Sequence, residues 1–433
     1  MIVNSIKNAT KIVNIPFFKT TFFKFVSFLF ILLLYLTDVS AQITAGSNPL
    51  DSIPDILNQN NESNQKDLFD ILSKEVTILK KIRPDTIKKV TMGPFFSILP
   101  GIGEDLATGL TGGLSSNISF YTDKDKNKIS SFLVYSCYSV RNQYWTTINS
   151  NIILEKQKLY IVGDWRFYYY PTVTYGLGSS SSFSDAVHIN YNMFRLYQYV
   201  YREIVSDLFG GVGYHMDYHW NINEFNVNPS IENDFEKYGF STRSSSSGVS
   251  LDILYDSRKN ANNPQNGAFF NIQYRDYFRA LGSDQDWQSL LIDARKYITF
   301  PQSSNNILAF WTYDFFTLKG NPPYLDLPST GSDAYSNLGR GYVVGRYRGL
   351  NLIYLESEYR FPLSRNGLFG GVVFANIESV SEWPSETFTR INPGGGFGLR
   401  VKLNKFSKTN FCVDYGFGME GSRGIFLNLG DVF

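Results

Sequence analysis

The chain has 433 residues, 43% of them hydrophobic and 16% aromatic, and its formal net charge is +1. This neutral balance gives no electrostatic reason to expect a nucleic-acid partner, and only two cysteines (Cys137 and Cys412) argue against a disulfide framework. The abundance of Tyr and Phe favours rings placed at a membrane–water boundary, with a Tyr-rich secreted β protein as the alternative.

Residues 1–41 have the pattern of a secretory signal peptide. Four lysines precede the first acid, Asp38, and an apolar core follows them from Phe25 to Leu36. Val39 and Ala41 occupy the −3 and −1 positions of a cleavage site. An uncleaved anchor is the alternative, but the core is short for a helix that must cross a bilayer.

Residues 42–91 are expected to form a periplasmic linker. The segment is polar and Asn-rich at first, and then apolar residues recur at helical spacing. We predict a short amphipathic helix over Gln65–Ile82, which Pro84 would end.

From Met92 to Phe433 the sequence predicts an all-β fold, a transmembrane antiparallel β-barrel of about sixteen strands. Apolar and polar residues alternate in runs of about ten, and the polar face carries Gly, Arg and Glu. A secreted β-sandwich is the alternative. The strands are expected to start near Phe95, Thr108, Lys128, Tyr144, Lys158, Ile189, Leu208, Gly248, Ala268, Trp287, Ile307, Asn351, Gly370, Gly394, Asn410 and Gly424.

The connections between these strands are predicted from polar insertions. Glu224–Ser247 and Lys319–Val344 are long enough to form loops that face outside the cell. The serine runs "GLGSSSSFSD" and "RSSSSG" are expected to be loops without catalytic bases. Strand boundaries between residues 171 and 190 stay open at this stage.

One loop carries the sequence "RGY" at Arg340, Gly341 and Tyr342, and "ESEYRFPL" follows it. This combination resembles the BamA/TamA superfamily of outer-membrane assembly and translocation barrels, the bacterial surface antigen family. In that family the motif lies at the tip of the loop before the twelfth strand, and the loop folds back into the lumen. The resemblance covers roughly 92–433 and implies the fold more firmly than the activity.

Further motifs in the same order support the resemblance. "GLFGGVVFANIESV", "GGGFGLRVKL" and "CVDYGFG" look like the family's last strands, and the terminal Phe433 is typical of outer-membrane barrels. "DSRKNANNPQNGAFF" resembles a second family signature. Its matching positions are Asp256, Arg258, Asn260, Pro264 and Gly267.

The resemblance also implies where the loop arginine binds. Alternation places Tyr354, Glu356, Glu358 and Arg360 on one face, and Glu358 best matches the family's partner for Arg340. The next strand normally supplies an acid two residues after Phe374, but Asn376 stands there, so the loop is expected to be held less tightly. The alternatives are that Arg340 only caps its loop, or that Arg348–Gly349 forms the lumenal tip.

The predicted function is an accessory role in outer-membrane protein assembly or translocation, and the alternative is a passive or gated outer-membrane pore. A third class is a barrel that displays surface loops. The linker is too short for the family's periplasmic POTRA domains. Outer-membrane lipid is the expected partner, with unfolded outer-membrane proteins or separate periplasmic proteins as further candidates, and we expect a monomer.

No enzyme, cofactor or metal site is expected from the sequence. His215, Asp217 and His219 share one strand face, but neighbours two apart on a strand are too widely spaced for most single-metal chelation. The predicted location is the bacterial cell outer membrane.

Overall fold

The structure, a computed structural model, describes residues 66–68, 95–120, 122, 130–154, 158–225, 233–239, 241–261, 263–404 and 408–433. The predicted signal peptide (1–41) lies outside the described residues, as do the predicted linker and its helix apart from residues 66–68. The backbone N–H of Lys66 donates to the carbonyl of Asn366 over 3.0 Å. In the described ranges, the structure contains no helix long and apolar enough to cross a bilayer.

Strands make up most of the described chain. The first nine are β1 (Phe95–Asp105), β2 (Gly109–Phe120), β3 (Ser130–Ser139), β4 (Tyr144–Leu154), β5 (Leu159–Tyr169), β6 (Thr172–Thr174), β7 (Val187–Val205), β8 (Leu208–Phe225) and β9 (Arg243–Asp256). The others are β10 (Gly267–Tyr277), β11 (Trp287–Thr299), β12 (Ile307–Lys319), β13 (Asn351–Pro362), β14 (Phe369–Val380), β15 (Asn392–Asn404), β16 (Thr409–Phe417) and β17 (Arg423–Leu429). A six-residue helix α1 (Asp234–Gly239) lies in the β8–β9 loop.

These segments form an antiparallel barrel of sixteen strands, because β5 and β6 count as one strand. β5 and β6 both pair with β7, and the Tyr170 N–H bonds to the Tyr191 carbonyl between them, so they are two segments of one strand interrupted before Pro171. All other strands pair with their neighbours in sequence. The predicted fold class and strand number are therefore confirmed, and the open boundaries between residues 171 and 190 are those of β6 and β7.

The prediction that the serine run Arg243–Gly248 forms a loop is wrong. β9 starts at Arg243 rather than near Gly248, because the serine run continues the strand. Inside the barrel the small hydroxyls of this run find partners: Ser246 donates to Asp326 over 2.6 Å, and Ser244 Oγ lies 3.5 Å from Nδ1 of His219.

The predicted alternation between the two faces of the wall is present. On β13, Glu356 and Glu358 are buried in the lumen, while Leu355 between them is 46% exposed. On β15, Phe397 and Leu399 point outward and Arg400 points inward. The outer face is thus apolar and the inner face carries the charges, as expected for a wall between lipid and a lumen.

The wall has two very different heights. β7 and β8 have 19 and 18 residues, whereas β16 and β17 have 9 and 7. The low part of the wall adjoins the place where the sheet would have to close. Cα atoms of β1 and β17 approach within 8 Å, but along the described strands no ladder of paired residues joins them.

One packing contact lies at the loop end of this seam. Gly424 of β17 lies under Leu106, from the β1–β2 turn, so closely that a Cβ at Gly424 would stand 2.3 Å from a Leu106 methyl carbon. This contact places the start of β17 against the β1–β2 turn.

The β12–β13 loop does not face outside the cell as its polar composition predicted. Most of its residues are buried, and Arg340, Tyr342, Arg346 and Tyr347 are each at most 2% exposed. The loop lies in the lumen, as the family resemblance implied, because the inner wall supplies partners for its polar groups.

Candidate functional site: the lumenal loop beside the seam

Arg340 stands at the centre of a buried ion cluster. Its guanidinium donates to Glu356 and Glu358 of β13, and its Nη1 lies 2.6 Å from Oδ2 of Asp414 on β16. The guanidinium carbon also lies 3.8 Å from the ring centroid of Phe374, a cation–π distance. Burial disfavours the charge, but the three carboxylates outweigh it and raise the pKa of Arg340 well above its usual value.

Two further arginines extend this cluster along the inner wall. Arg360 donates from Nε to Glu358 over 2.7 Å, and Arg400 bonds to Asp414. Both also reach Asp431, at 3.5 Å from Arg360 and 3.2 Å from Arg400. We call the set of Arg340, Glu356, Glu358, Arg360, Arg400, Asp414 and Asp431 the lumenal ion cluster.

The lumenal ion cluster connects elements that are far apart in sequence. It joins the loop and β13 to β15, β16 and the residues after β17. Buried charges are costly unless each one is paired, so removing one member leaves its partners uncompensated. The cluster therefore ties the loop to the wall next to the seam.

Gly341 and Tyr342 fix the loop tip against that same part of the wall. Gly341 has φ of 110°, and a Cβ there would lie 2.7 Å from the Phe417 carbonyl oxygen at the end of β16. The Tyr342 hydroxyl donates to the Pro393 carbonyl over 2.6 Å and accepts from the Met419 N–H over 3.0 Å. Only glycine permits this close approach with a left-handed backbone.

Asn376 acts differently from the acid expected at its position. Its Nδ2 donates to the backbone carbonyl of Arg340 over 3.0 Å, so it holds the loop backbone instead of the guanidinium. Asp414 supplies the additional carboxylate, which the sequence analysis did not assign. The inward parity of Asp414 in "CVDYG" was the available signal.

The second arginine–glycine pair belongs to the interior of the loop. Arg348 Nη1 donates to the carbonyls of Tyr324 and Leu327, each over 3.1 Å. Arg346, which the sequence analysis did not single out, is fully buried and pairs with Glu420 at 2.8 Å. These contacts shape the loop, while Arg340 is the arginine that reaches β13 and β16.

The last residue of the chain lies inside the barrel. Phe433 is 2% exposed, and its ring centroid lies 5.2 Å from that of Trp311. Arg360 donates to its carbonyl over 2.9 Å, and Asn337 of the loop donates to the Val432 carbonyl over 2.9 Å. The segment after β17 thus turns into the lumen and contacts both the loop and the lumenal ion cluster.

The second family signature forms the turn between β9 and β10. Arg258 makes a two-point ion pair with Asp256, with both N–O distances at 2.9 Å. Asn260 accepts from the Asn263 N–H, and Pro264 is buried. Gly267 has φ of 100°, and a Cβ there would lie 2.6 Å from the Ser257 carbonyl oxygen. These positions shape a turn that is remote from Arg340 in the strand order.

The histidine row on β8 is occupied by structural partners. His215 Nε2 lies 3.0 Å from Ser250 Oγ, and His219 Nδ1 lies 3.5 Å from Asp326. Asp217 accepts from Tyr197 and Arg195, each over 2.5 Å. Within the described ranges, no group of three or more His, Cys, Asp or Glu side chains is arranged to hold a metal.

Comparison with known proteins rests on structure alone. No protein-family model matches the sequence, and no curated protein sequence matches it. Among solved structures, BamA from Haemophilus ducreyi lacking POTRA domains 1–3 is similar, with a TM-score of 0.51 and 14% identity over 77% of this chain and 68% of that chain.

Two CdiB structures are similar to the same degree. CdiB from Acinetobacter baumannii has a TM-score of 0.52 and 14% identity, covering 79% of this chain and 60% of that chain. CdiB from Escherichia coli has a TM-score of 0.51 and 9% identity, covering 77% and 62%. The chain thus has the fold of these barrels, which supports the resemblance drawn from its motifs, and it spans less than two thirds of the CdiB chains.

Proposed function

We propose that this chain is an outer-membrane barrel that assists the assembly or translocation of outer-membrane proteins by opening between β1 and β17. The carrying observation is the seam, where the two strands lie side by side with no ladder along the described residues. The fold of BamA and CdiB is consistent with this role, and the proposed role is non-enzymatic.

The chemistry of an unpaired strand edge in lipid supports the proposal. A backbone N–H or carbonyl that faces hydrocarbon without a partner costs several kcal/mol, so membrane barrels normally close completely. An edge left open can be satisfied by a strand from another chain, as in strand addition to exposed sheet edges. An unfolded outer-membrane protein would supply such strands.

The low wall next to the seam would help by thinning the membrane. At about 3.4 Å per residue, the seven residues of β17 span about 24 Å along the strand, and less across a bilayer when the strand tilts by about 40°. The apolar band of an outer-membrane barrel is about 25 Å tall. Lipid next to β16 and β17 would therefore have to thin, which lowers the barrier for an inserting strand.

The lumenal loop would hold the low wall in the position that presents this seam, so a loosened loop should disable the exit. Arg340 bonds to Glu358 on β13 and to Asp414 on β16, and Gly341 abuts the end of β16. These contacts brace the low wall from inside. We assign the loop a bracing role and the seam the role of the exit.

The test is a folding assay in liposomes. The purified chain is reconstituted, a urea-denatured outer-membrane barrel is added, and its folding rate is compared with that in empty liposomes. We expect acceleration with the native chain and with Arg365→Ala, an exposed charge in the β13–β14 turn, and its loss with Arg340→Ala. Heat-modifiable migration on gels confirms that each variant is folded.

No acceleration by the folded native chain would reject the assembly role. The pore alternative is then examined in the same vesicles, because a conducting lumen would give single-channel currents. If Arg340→Ala accelerates folding as much as the native chain does, the proposed exit at the seam stands. The proposed bracing role of the loop would then be rejected.

A further inference from the structure

A chamber of about 710 Å³ occupies the lumen on the side of the tall wall. Inward residues of β5, β7 and β10 line it, and the β12–β13 loop covers one end with residues such as Leu327 and Ser329. Its lining extends to Asp207 in the exposed turn between β7 and β8. Its volume is that of a site for a small ligand.

Tyrosine is the most frequent aromatic residue in the wall of this chamber. Tyr197 and Tyr199 project from β7, Tyr277 from β10 and Tyr313 from β12. Tyr277 stacks on Trp287, with ring centroids 3.8 Å apart and an angle of 7° between the rings. Such rings offer flat apolar faces together with hydroxyl groups that can hydrogen-bond.

Most of the chamber's six arginines follow a pairing rule, which has two exceptions. Three of them bond to an aspartate two residues earlier on the same strand or at its end: Arg166 with Asp164, Arg258 with Asp256, and Arg295 with Asp293. Arg195 pairs with Asp217 across the β7–β8 ladder. In each case the positive charge is balanced within the wall.

The first exception, Arg348 of the loop, donates to the carbonyls of Tyr324 and Leu327, and the second, Arg275 on β10, has a side-chain amide as its partner. The residue two positions earlier is Gln273, and both Nε and Nη2 of Arg275 donate to its Oε1. In the described part of the chain Arg275 forms no salt bridge; the acid nearest in register, Asp252, stands opposite Gln273 and accepts from Ser250. Arg275 is 8% exposed, and its guanidinium carbon lies 5.5 Å from the Tyr197 ring centroid.

A buried guanidinium whose hydrogen bonds go to a neutral amide, and which forms no salt bridge, is a place where an anion would bind. Burial makes an uncompensated charge costly, and a carboxylate or phosphate would relieve that cost through paired, charge-assisted hydrogen bonds. The surrounding tyrosines would then contact the body of the ligand. The buried acids of the wall have partners of their own. Asp164, Asp217 and Asp293 bond to arginines. Asp326 accepts from Ser246, and Asp333 accepts from the backbone N–H groups of Tyr335 and Leu338.

We propose that this chamber binds a small ring-containing molecule that carries one carboxylate or phosphate group, with Arg275 as the residue that binds the anion. The inference is independent of the seam and of the assembly role. It assigns the tall side of the lumen a ligand site, whereas the short side carries the lumenal ion cluster.

The test measures binding by calorimetry to the purified full chain in detergent micelles. The anionic probes are benzoate, glucuronate and glucose 6-phosphate; benzyl alcohol and glucose are their neutral counterparts, and acetate is the bare anion. We expect at least one anionic probe to bind saturably with a Kd below about 1 mM, and its neutral counterpart and acetate to bind at least tenfold more weakly.

Two variants and a control assign the binding to Arg275. Arg275→Gln is expected to weaken binding at least tenfold. Gln273→Asp supplies the missing aspartate, so it should also abolish anion binding while keeping a stable wall. Lys296→Gln removes the same charge from an exposed position on the outer face of β11 and should leave binding unchanged.

Several results would overturn the proposal. These are no saturable binding by any anionic probe, equal binding of a neutral counterpart or of acetate, or unchanged binding in the folded Gln273→Asp variant. Loss of binding in Lys296→Gln would also overturn it, because the effect would then come from overall charge.

Discussion

At the scale of single residues, Arg340 attaches the loop to the wall through a buried ion cluster. It is 1% exposed and bonds to three carboxylates on two strands. Arg340→Ala leaves Glu356, Glu358 and Asp414 with one cation fewer in a buried place. We expect the free energy of unfolding to fall by about 3–5 kcal/mol, as when one partner of a buried ion pair is removed.

Heat-modifiable migration on gels at increasing temperature measures this loss in detergent. Arg365→Ala is the matched control, because it removes the same side chain from an exposed turn and should change stability by no more than about 0.5 kcal/mol. Equal midpoints for Arg340→Ala and Arg365→Ala would show that the lumenal ion cluster does not support the barrel.

Phe433 allows a second test at the residue scale. Because its ring is buried against Trp311 in the lumen, Phe433→Ala should cost about 3–5 kcal/mol and shift Trp emission to longer wavelength. Phe397→Ala, which removes a ring that is 58% exposed on the outer face, is the control. If Phe433→Ala behaves like Phe397→Ala, the terminal ring does not lie in the lumen.

The sequence allowed part of the ion cluster to be predicted and not the rest. Parity along β13 places Glu356, Glu358 and Arg360 on one face, and a loop arginine must find acids on such a face. Asp414 could be assigned to the inward face of β16, but its distance from Arg340 depends on how the loop crosses the lumen. Parity along single strands carries no information about that path.

At the scale of elements, the loop tip depends on glycine at one position in particular. Gly341 and Gly345 both have left-handed backbones, with φ of 110° and 77°. A Cβ at Gly341 would lie 2.7 Å from the Phe417 carbonyl oxygen, whereas at Gly345 the nearest atom is 3.7 Å away. Alanine costs about 1–3 kcal/mol in strain at either position, but at Gly341 it must also push the tip away from β16.

We therefore expect Gly341→Ala to lower the thermal midpoint clearly more than Gly345→Ala. Limited proteolysis gives a second readout, since a displaced tip should become cleavable after Arg340 or Tyr342. If the two variants have the same midpoint and the same cleavage pattern, the contact between loop tip and β16 is not important for the fold.

The strands themselves were the most predictable elements, because period-two alternation is a local property of the sequence. The prediction for the serine run at Arg243–Gly248 was wrong, because runs of serine are typical of loops. In a barrel, however, serine can face a polar lumen, and here Ser246 bonds to Asp326. The interruption between β5 and β6 could not be predicted either. Pro171 indicates a break in the strand, but it does not show that pairing with β7 resumes after it.

At the scale of the whole molecule, the barrel joins a tall wall around a chamber to a low wall beside a seam. The alternation of apolar and polar residues predicted the number of strands, but it did not predict the seam. Whether the first and last strands pair depends on closure over more than 300 residues of chain, from β1 to β17. A strand's own sequence specifies which face is apolar, and it does not specify whether its free edge is satisfied.

The most direct test of this account is amide hydrogen exchange of the chain in lipid nanodiscs, read peptide by peptide. Among the described strands, β7 and β8 are paired on both sides along the tall wall, while β17 is paired only with β16 through a seven-residue ladder. We expect peptides from β1 and β17 to exchange at least a hundredfold faster than peptides from β7 and β8, because unpaired edge amides open most easily. Equal slow exchange in all four strands would show that the barrel is closed, and it would contradict an exit between β1 and β17.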